Sequence, residues 1–255
     1  YDESRLSALE TRMAHYLSAS AVSAKNLAEE KDAIKTLIGD ISHQTKTPIA
    51  NLLLYAQLLE EQDLPPESRE YVSALEHQAE KLRFLIDALV KTSRLESGVL
   101  AMTPKRHGIQ QLLDAASAQA APGAEAKAIT LTVEPTDLTA RFDPKWTAEA
   151  LYNLVDNAVK YTPAGGAVTL RAVGYELFCR VDVTDTGPGI PESEQARIFQ
   201  RFYRSPSASE AEGVGIGLYL ARQIAAGQGG YLKVSSRPGE GSTFSLFLPR
   251  AEERT

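Results

Sequence analysis

The sequence predicts an α+β protein in two parts, a helical hairpin that dimerises into a four-helix bundle, followed by a compact domain mixing helices and strands. Three observations carry this expectation. Apolar residues in the first hundred positions recur in alternating steps of four and three, the period of a helix seam. Beyond Gly98 the texture changes to short alternating runs separated by glycine and proline. The 255 residues are 43% hydrophobic and 24% charged, a composition that buries a core and does not suit a disordered chain.

The hairpin is written in two series. The first is Ile34, Ile38, Ile41, Thr45, Pro48, Leu52, Tyr55 and Leu59; the second is Val72, Leu75, Ala79, Leu82, Ile86 and Leu89. Between them, Gln62-Asp63-Leu64-Pro65-Pro66 makes a short turn, so the helices run antiparallel. Two helices alone bury little, and Leu53, Leu54, Leu58, Leu85 and Val90 lie off the seam, so a second copy completing a four-helix bundle is expected. A weaker repeat through Leu6, Leu9, Met13, Tyr16 and Leu27 suggests an entering helix. Downstream, Ala128–Val133 reads as a strand, Thr147–Tyr161 as a helix, and Ala167–Val173 and Leu177–Thr184 as strands. A short helix over Leu218–Ala225 and two closing strands, Tyr231–Ser235 and Ser242–Leu248, complete the pattern. The expected boundaries are 1–30 for the entering helix, 31–98 for the hairpin, 99–102 for a linker, 103–250 for the α/β domain and 251–255 for a tail.

Charge and cysteine content narrow the function. With 33 acidic and 27 basic side chains the net charge is −6, which argues against a general nucleic-acid binder. The lone Cys179 provides no intrachain disulfide or thiolate metal cluster and suits a reducing compartment. No run approaches the roughly 18 apolar residues of a membrane span. The start at Tyr1, without a methionine, is expected of a fragment.

Four constellations carry chemistry. His43, in Ser-His-Gln-Thr-Lys-Thr-Pro, lies two residues from both Ile41 and Thr45, about 200° around the helix from each, and so points to solvent. Asp40 lies one turn before it and Thr47 one turn after. Pro48 removes the hydrogen bond to the Gln44 carbonyl, placing a hinge beside an imidazole that is available as a nucleophile near pH 7. In residues 151–161, Leu151, Leu154, Val155 and Ala158 define a buried stripe, while Asn153, Asn157 and Lys160 recur on the other face. Two carboxamides and an ammonium there could meet a hydrated Mg²⁺ and phosphates, although a solvated helix face has the same composition. Asp185-Thr-Gly187-Pro-Gly189 follows a strand, a pattern that suits a purine amino group or an ordinary acidic turn. Gly213-Val-Gly215-Ile-Gly217-Leu218 opens a helix, where glycine amides can receive an anion. Between the last two, the Phe/Tyr-rich segment 198–204 with Arg201 and Arg204 leads into small and polar residues, like a lid anchored at one end.

In this order the boxes resemble those of the bacterial sensor histidine kinases: a phosphoacceptor His with Lys-Thr-Pro, an Asn-box, Asp-x-Gly-x-Gly, a Phe-box, Gly-x-Gly-x-Gly-Leu, and Gly-Glu-Gly-Ser-Thr-Phe at 239–244. The resemblance covers roughly residues 30 to 250. It implies a dimerisation and phosphotransfer hairpin followed by an ATP-binding α/β sandwich of the gyrase, Hsp90, histidine kinase and MutL type. It also implies that ATP phosphorylates His43, that the phosphoryl group passes to a response-regulator aspartate, and that the full-length protein sits in the bacterial membrane through a segment ahead of this one. Asn157 would hold Mg²⁺. Asn153, Lys160 and Tyr161 would line the nucleotide site, and Asp185, with Gly187 and Gly189, would meet adenine. Gly213, Gly215, Gly217 and Leu218 would shape the lid, Thr243 would back the adenine pocket, Arg201 and Arg204 would supply cations, and Thr47 would orient a water for regulator dephosphorylation. A nucleotide-binding scaffold with weak turnover is the alternative.

One residue departs from the family pattern. Gln44 stands where a Glu or Asp usually follows the phosphoacceptor. A carboxylate there can take the imidazole proton, a contribution of about 10²–10⁴-fold, whereas a carboxamide only accepts a hydrogen bond. Gln44→Glu is therefore expected to raise the initial rate of phosphohistidine formation at saturating ATP, and Asp40→Ala to slow the unsubstituted chain more than it slows Gln44→Glu. Equal rates across this double-mutant cycle would place the limiting step away from the proton.

Overall fold

The computed structural model describes residues 3–96, 102–205 and 214–250 and divides into two compact units, Tyr1–Leu100 and Ala101–Thr255. In the first unit, α1 (Glu3–Glu60) runs for 58 residues and contains Pro48. Gly39 and the expected boundary at residue 30 leave it unbroken, so the entering helix and the first hairpin helix are one element. A turn closed by Gln62 N–H on the Leu59 carbonyl (3.1 Å) leads to α2 (Pro66–Glu96). Pro66 suits the first helical position, where no N–H is needed.

Within the protomer the hairpin closes over Ile49, Leu53 and Ala56 of α1 and Val72 and Ala79 of α2, with Ile86 against them. This revises the seam. Leu53, expected off it, is 7% exposed, while Leu52, expected on it, is 56% exposed. Tyr55, Leu59, Leu75, Leu82 and Leu89 are exposed as well. The reason is geometric: α1 is apolar on two sides and α2 alone can cover only one of them. Across the hairpin Lys46 pairs with Asp87 at 2.8 Å, a half-exposed contact worth about 0–1 kcal/mol.

The second unit is one mixed sheet covered on one face by helices. Strands β2 (Thr130–Val133), β4 (Ala167–Gly174), β5 (Phe178–Asp185), β7 (Gly241–Pro249) and β6 (Tyr231–Arg237) lie in the order β2-β4-β5-β7-β6. The β2–β4 pair is parallel and the others are antiparallel. A separate ribbon pairs β1 (Lys105–Gly108) with β3 (Thr139–Phe142). Helices α3 (Ile109–Ala126), α4 (Pro144–Tyr161) and α6 (Gly217–Gly227) bury their apolar stripes with Val168, Leu170, Val181, Val183, Leu246 and Leu248. A short helix, α5 (Glu192–Gln195), precedes a turn over Arg197–Phe199.

Several elements of this unit depart from the sequence expectation, and α4 begins at Pro144 rather than Thr147. Helix α3 is absent from the sequence reading, because beyond Ile109, Leu112 and Leu113 its buried face is alanine (Ala116, Ala120, Ala124) and its sequence contains Pro122. The β1–β3 ribbon is too short to carry a period. Strand β2 starts at Thr130 rather than Ala128, since Ala128 has φ 53° and cannot extend the strand.

Asp143 caps α4. Its Oδ1 accepts from Lys145 N–H (3.1 Å) and Trp146 N–H (3.3 Å), and its Oδ2 from Thr103 N–H (3.0 Å). Burial pushes its carboxyl upward, but these bonds together outweigh it and leave the group below the ordinary range. A depressed folded value means a contribution that is present above the unfolded pKa and lost as pH falls through the folded one. Asp143→Ala is expected to cost about 1–2 kcal/mol in urea unfolding at pH 7, with the difference narrowing in acid.

Candidate functional site

Asp185 ends β5 on the helix-facing side of the sheet and is 6% exposed. Its Oδ1 accepts from Gly187 N–H (2.8 Å) and Ser242 N–H (3.2 Å), so Oδ2 is not used by either bond. Burial pushes this carboxyl up and the two amide bonds partly offset it. The loop that follows is pinned to the β6–β7 turn by Gly239 N–H on the Pro188 carbonyl (2.7 Å) and Ile190 N–H on Ser236 Oγ (2.7 Å). Gly189 has φ +73°, and a Cβ there would lie 2.0 Å from the Arg237 carbonyl oxygen, so the turn admits only glycine.

Helix α4 presents its polar stripe beside this loop. Asn153 Nδ2 donates to the Glu149 carbonyl and Asn157 Nδ2 to the Asn153 carbonyl, both at 2.8 Å. With the amide nitrogens tied to the helix, the Oδ1 atoms are the acceptors each side chain has left to offer. A Cβ on Gly217 would lie 2.7 Å from Asn153 Oδ1, so the start of α6 meets α4 at backbone distance. A Cβ on Gly187 would lie 3.2 Å from the Tyr161 carbonyl oxygen, bringing the Asp185 loop to the other end of the stripe. Lys160 Nζ sits 5.6 Å from the Tyr161 ring centre. Burial raises the Tyr161 phenol, the Arg204 charge opposes that rise, and Asp156 adds to it. Arg201 donates to Tyr219 Oη (3.1 Å) and stacks on its ring. Gly215, at φ +74°, accepts Phe202 N–H through its carbonyl (2.9 Å).

Asn153, Asn157, Lys160, Tyr161, Asp185, Gly187, Gly189, Arg204, Gly215 and Gly217 therefore belong to one region, and Leu218 follows Gly217 in the first turn of α6. Gly213 lies outside the described residues. Thr243 does not join them. Its hydroxyl pairs with that of Thr184 at 3.0 Å, and alternation along a strand puts it on the face opposite Asp185. Ser242 takes the place expected of Thr243, buried and bonded through its N–H to Asp185. It was visible in the same Gly-Glu-Gly-Ser-Thr-Phe run, where counting the strand parity back from Asp185's partner selects it. Lys127 was not visible in the sequence: its ammonium caps the last turn of α4 by donating to the Val159 (2.9 Å) and Lys160 (2.8 Å) carbonyls.

In the other unit His43 lies in α1, with its side chain outside the described residues. Asp40, Gln44 and Thr47 are exposed along the same helix. Residues 33–98 match the His Kinase A (phospho-acceptor) domain family, and residues 142–252 match the Histidine kinase-, DNA gyrase B-, and HSP90-like ATPase family. The chain is homologous to the sensor histidine kinases.

It is 34% identical, over 92% of its length, to Sensor protein DivL of Caulobacter vibrioides, and 31% identical, over 90%, to Sensor protein GacS of Pseudomonas syringae pv. syringae. It spans 31% and 27% of those two proteins, less than a third of the length of either. The crystal structure of full-length ShkA in complex with AMPPNP matches 86% of this chain and 47% of its own, with a TM-score of 0.72 and 29% identity.

The second unit thus holds a buried carboxylate with one oxygen bonded by two backbone N–H groups, beside carboxamide oxygens on α4 that accept no bond from the helix. Among the described residues no group of three His, Cys, Asp or Glu side chains could hold a metal, and Mg²⁺ on phosphates needs only one or two protein ligands. Asp185→Asn is expected to weaken ATP binding about 10- to 100-fold, the value of a charge-assisted hydrogen bond. The ionised carboxylate is the better acceptor. Titration calorimetry should therefore find affinity falling, as pH is lowered, at a higher pH than an ordinary carboxylate allows, and Asp185→Asn should lose that limb.

Proposed function

We propose that this chain is the cytoplasmic kinase portion of a longer sensor protein and works as a homodimer that uses ATP to phosphorylate His43. The observation that carries the reading is the buried Asp185, its Oδ1 fixed by two backbone N–H groups beside the asparagine stripe of α4. The apolar face left open on the hairpin, including Leu52, Leu59, Leu75 and Leu82, supports a second copy as the completing partner. Among the described residues no helix is long and apolar enough to cross a membrane, and we assign membrane attachment to sequence ahead of this chain.

In this reading Asp185 accepts the adenine amino group and Asn157 Oδ1 ligates Mg²⁺. When bound, the metal neutralises charge between the phosphates. Lys160, Arg204 and the amides around Gly215 and Gly217 hold the triphosphate. A ring nitrogen of His43 attacks the γ-phosphorus, the N–P bond forms as the bond to the β-phosphate oxygen breaks, and ADP leaves. The other ring nitrogen shares its proton with Gln44 or Asp40. The phosphoryl group then passes from His43 to an aspartate carboxylate of a response-regulator receiver domain. Thr47, exposed one turn from His43, orients a water for hydrolysis of the phosphorylated regulator. Gln44, which accepts a hydrogen bond but not a proton, favours the second reading of a nucleotide-binding scaffold with slow turnover.

Incubation with γ-labelled ATP distinguishes the two. Acid-labile, alkali-stable label that disappears in His43→Ala and in Asn157→Ala is expected of the kinase. Mixed dimers carrying one substitution per subunit should recover label if transfer crosses between subunits. ATP binding without label supports the scaffold, and label surviving His43→Ala would overturn the assignment of the phosphoacceptor.

A further inference from the structure

The end of the ATP-binding unit remote from Asp185 holds a buried polar knot that no part of the proposed chemistry uses. Gln228, directly after α6, is 6% exposed, and Thr147, in the first turns of α4, is fully buried. Gln228 Oε1 accepts from the Asp143 N–H and from Thr147 Oγ1 (3.2 Å). Its Nε2 donates to Thr147 Oγ1 (3.1 Å) and to the Ile224 carbonyl (3.2 Å). One side chain thus ties the end of α6 to the start of α4. Asp143 extends the knot to Thr103, and Met102 packs where a Cβ on Gly227 would lie, 3.3 Å from its Sδ. The first described residues of the unit are therefore gathered at the same point.

Helices α4 and α6 meet again at Asn153 and Gly217. From Thr147 to Asn153 is roughly 9 Å along α4, and from Gly217 to Gln228 roughly 16 Å along α6. Leu220, Ala221 and Ile224 of α6 are buried between these two contacts, and the contact at each end fixes the angle at which the packed rods cross. Resting on the reading of this unit as an ATP site, we propose that Gln228 is a positioning residue for the nucleotide. By locking the far ends of α4 and α6 together it holds Gly217, and the glycine turn before it, in register with Asn153. It touches no ligand itself. Removing it keeps the apolar packing of α6 but loosens the crossing angle, so the triphosphate contacts are made less often without any reacting group being lost.

The test is ATP binding and turnover by the full chain carrying Gln228→Met, which keeps length and apolar volume but loses the four hydrogen bonds, and separately Thr147→Val. Both are assayed at a temperature where circular dichroism matches the unsubstituted chain. The expected result is a five- to tenfold rise in Kd and KM for ATP with kcat within twofold, and a double variant no worse than Gln228→Met alone, because both substitutions cut one link. A merely structural knot would lower Tm and leave the Kd of the folded protein within twofold. That outcome, or a loss confined to kcat, overturns the proposal. If Gln228→Met does not fold, Thr147→Val is read alone against the same limits. An unsubstituted chain that fails to bind ATP would overturn the ATP-site reading along with this one. A chain that binds ATP but is indifferent to both substitutions overturns only the role of Gln228.

Discussion

Taking a carboxylate out of water costs several kcal/mol unless its oxygens are met, and the ATP-binding unit is organised around meeting that cost at Asp185 only in part. Two amide N–H groups satisfy one oxygen. Those amides exist at the right place because the loop after β5 is tied to the β6–β7 turn and because Gly189 and Gly241 accept backbone at 2.0 Å from their missing Cβ positions. The other oxygen keeps its capacity for a ligand. A second buried carboxylate, Asp182, makes the contrast: Arg171, Arg180 and Ser245 surround it on the opposite face of the sheet, and it offers a ligand nothing.

Much of this was legible in the sequence, and the reasons differ by element. Helix α4 carried its period in large residues, which place its start at Thr147 and miss the first turn from Pro144 capped by Asp143, and strands β4 to β7 were legible as short strand-like runs. Helix α3 hid the second half of its buried face in alanines, which carry little contrast against serine and glutamine neighbours. At the candidate site, the boxes singled out Asp185, Asn157, Gly187 and Gly217, which the fold brings into one region. Thr243 was selected over Ser242 because motif reading ignores strand parity, which alternates strictly along β7 and decides which of two adjacent hydroxyl residues faces the helices. Lys127 and Gln228 were beyond reach, since their partners lie far along the chain and only folding brings them together.

The hairpin shows the same limit in another form. A seven-residue repeat says that a helix has a partner but not which of two apolar faces meets which partner. Ile49 and Leu53 face α2 and Leu52 and Tyr55 do not, although all four fit an apolar pattern. The distinction is set by where Gln62–Pro66 returns the chain, and that turn aims α2 at one face of α1 only.

The unbroken α1 also has a mechanical meaning. At about 1.5 Å per residue its 58 residues form a rod roughly 87 Å long. Torque applied near its amino end travels along a continuous ladder of hydrogen bonds until Pro48, where the rung to the Gln44 carbonyl is missing. A shaft yields at its missing rung. Bending of this rod is therefore concentrated within one turn or so of Pro48, and a load applied at its amino end changes the direction of the helix axis there rather than along the whole length.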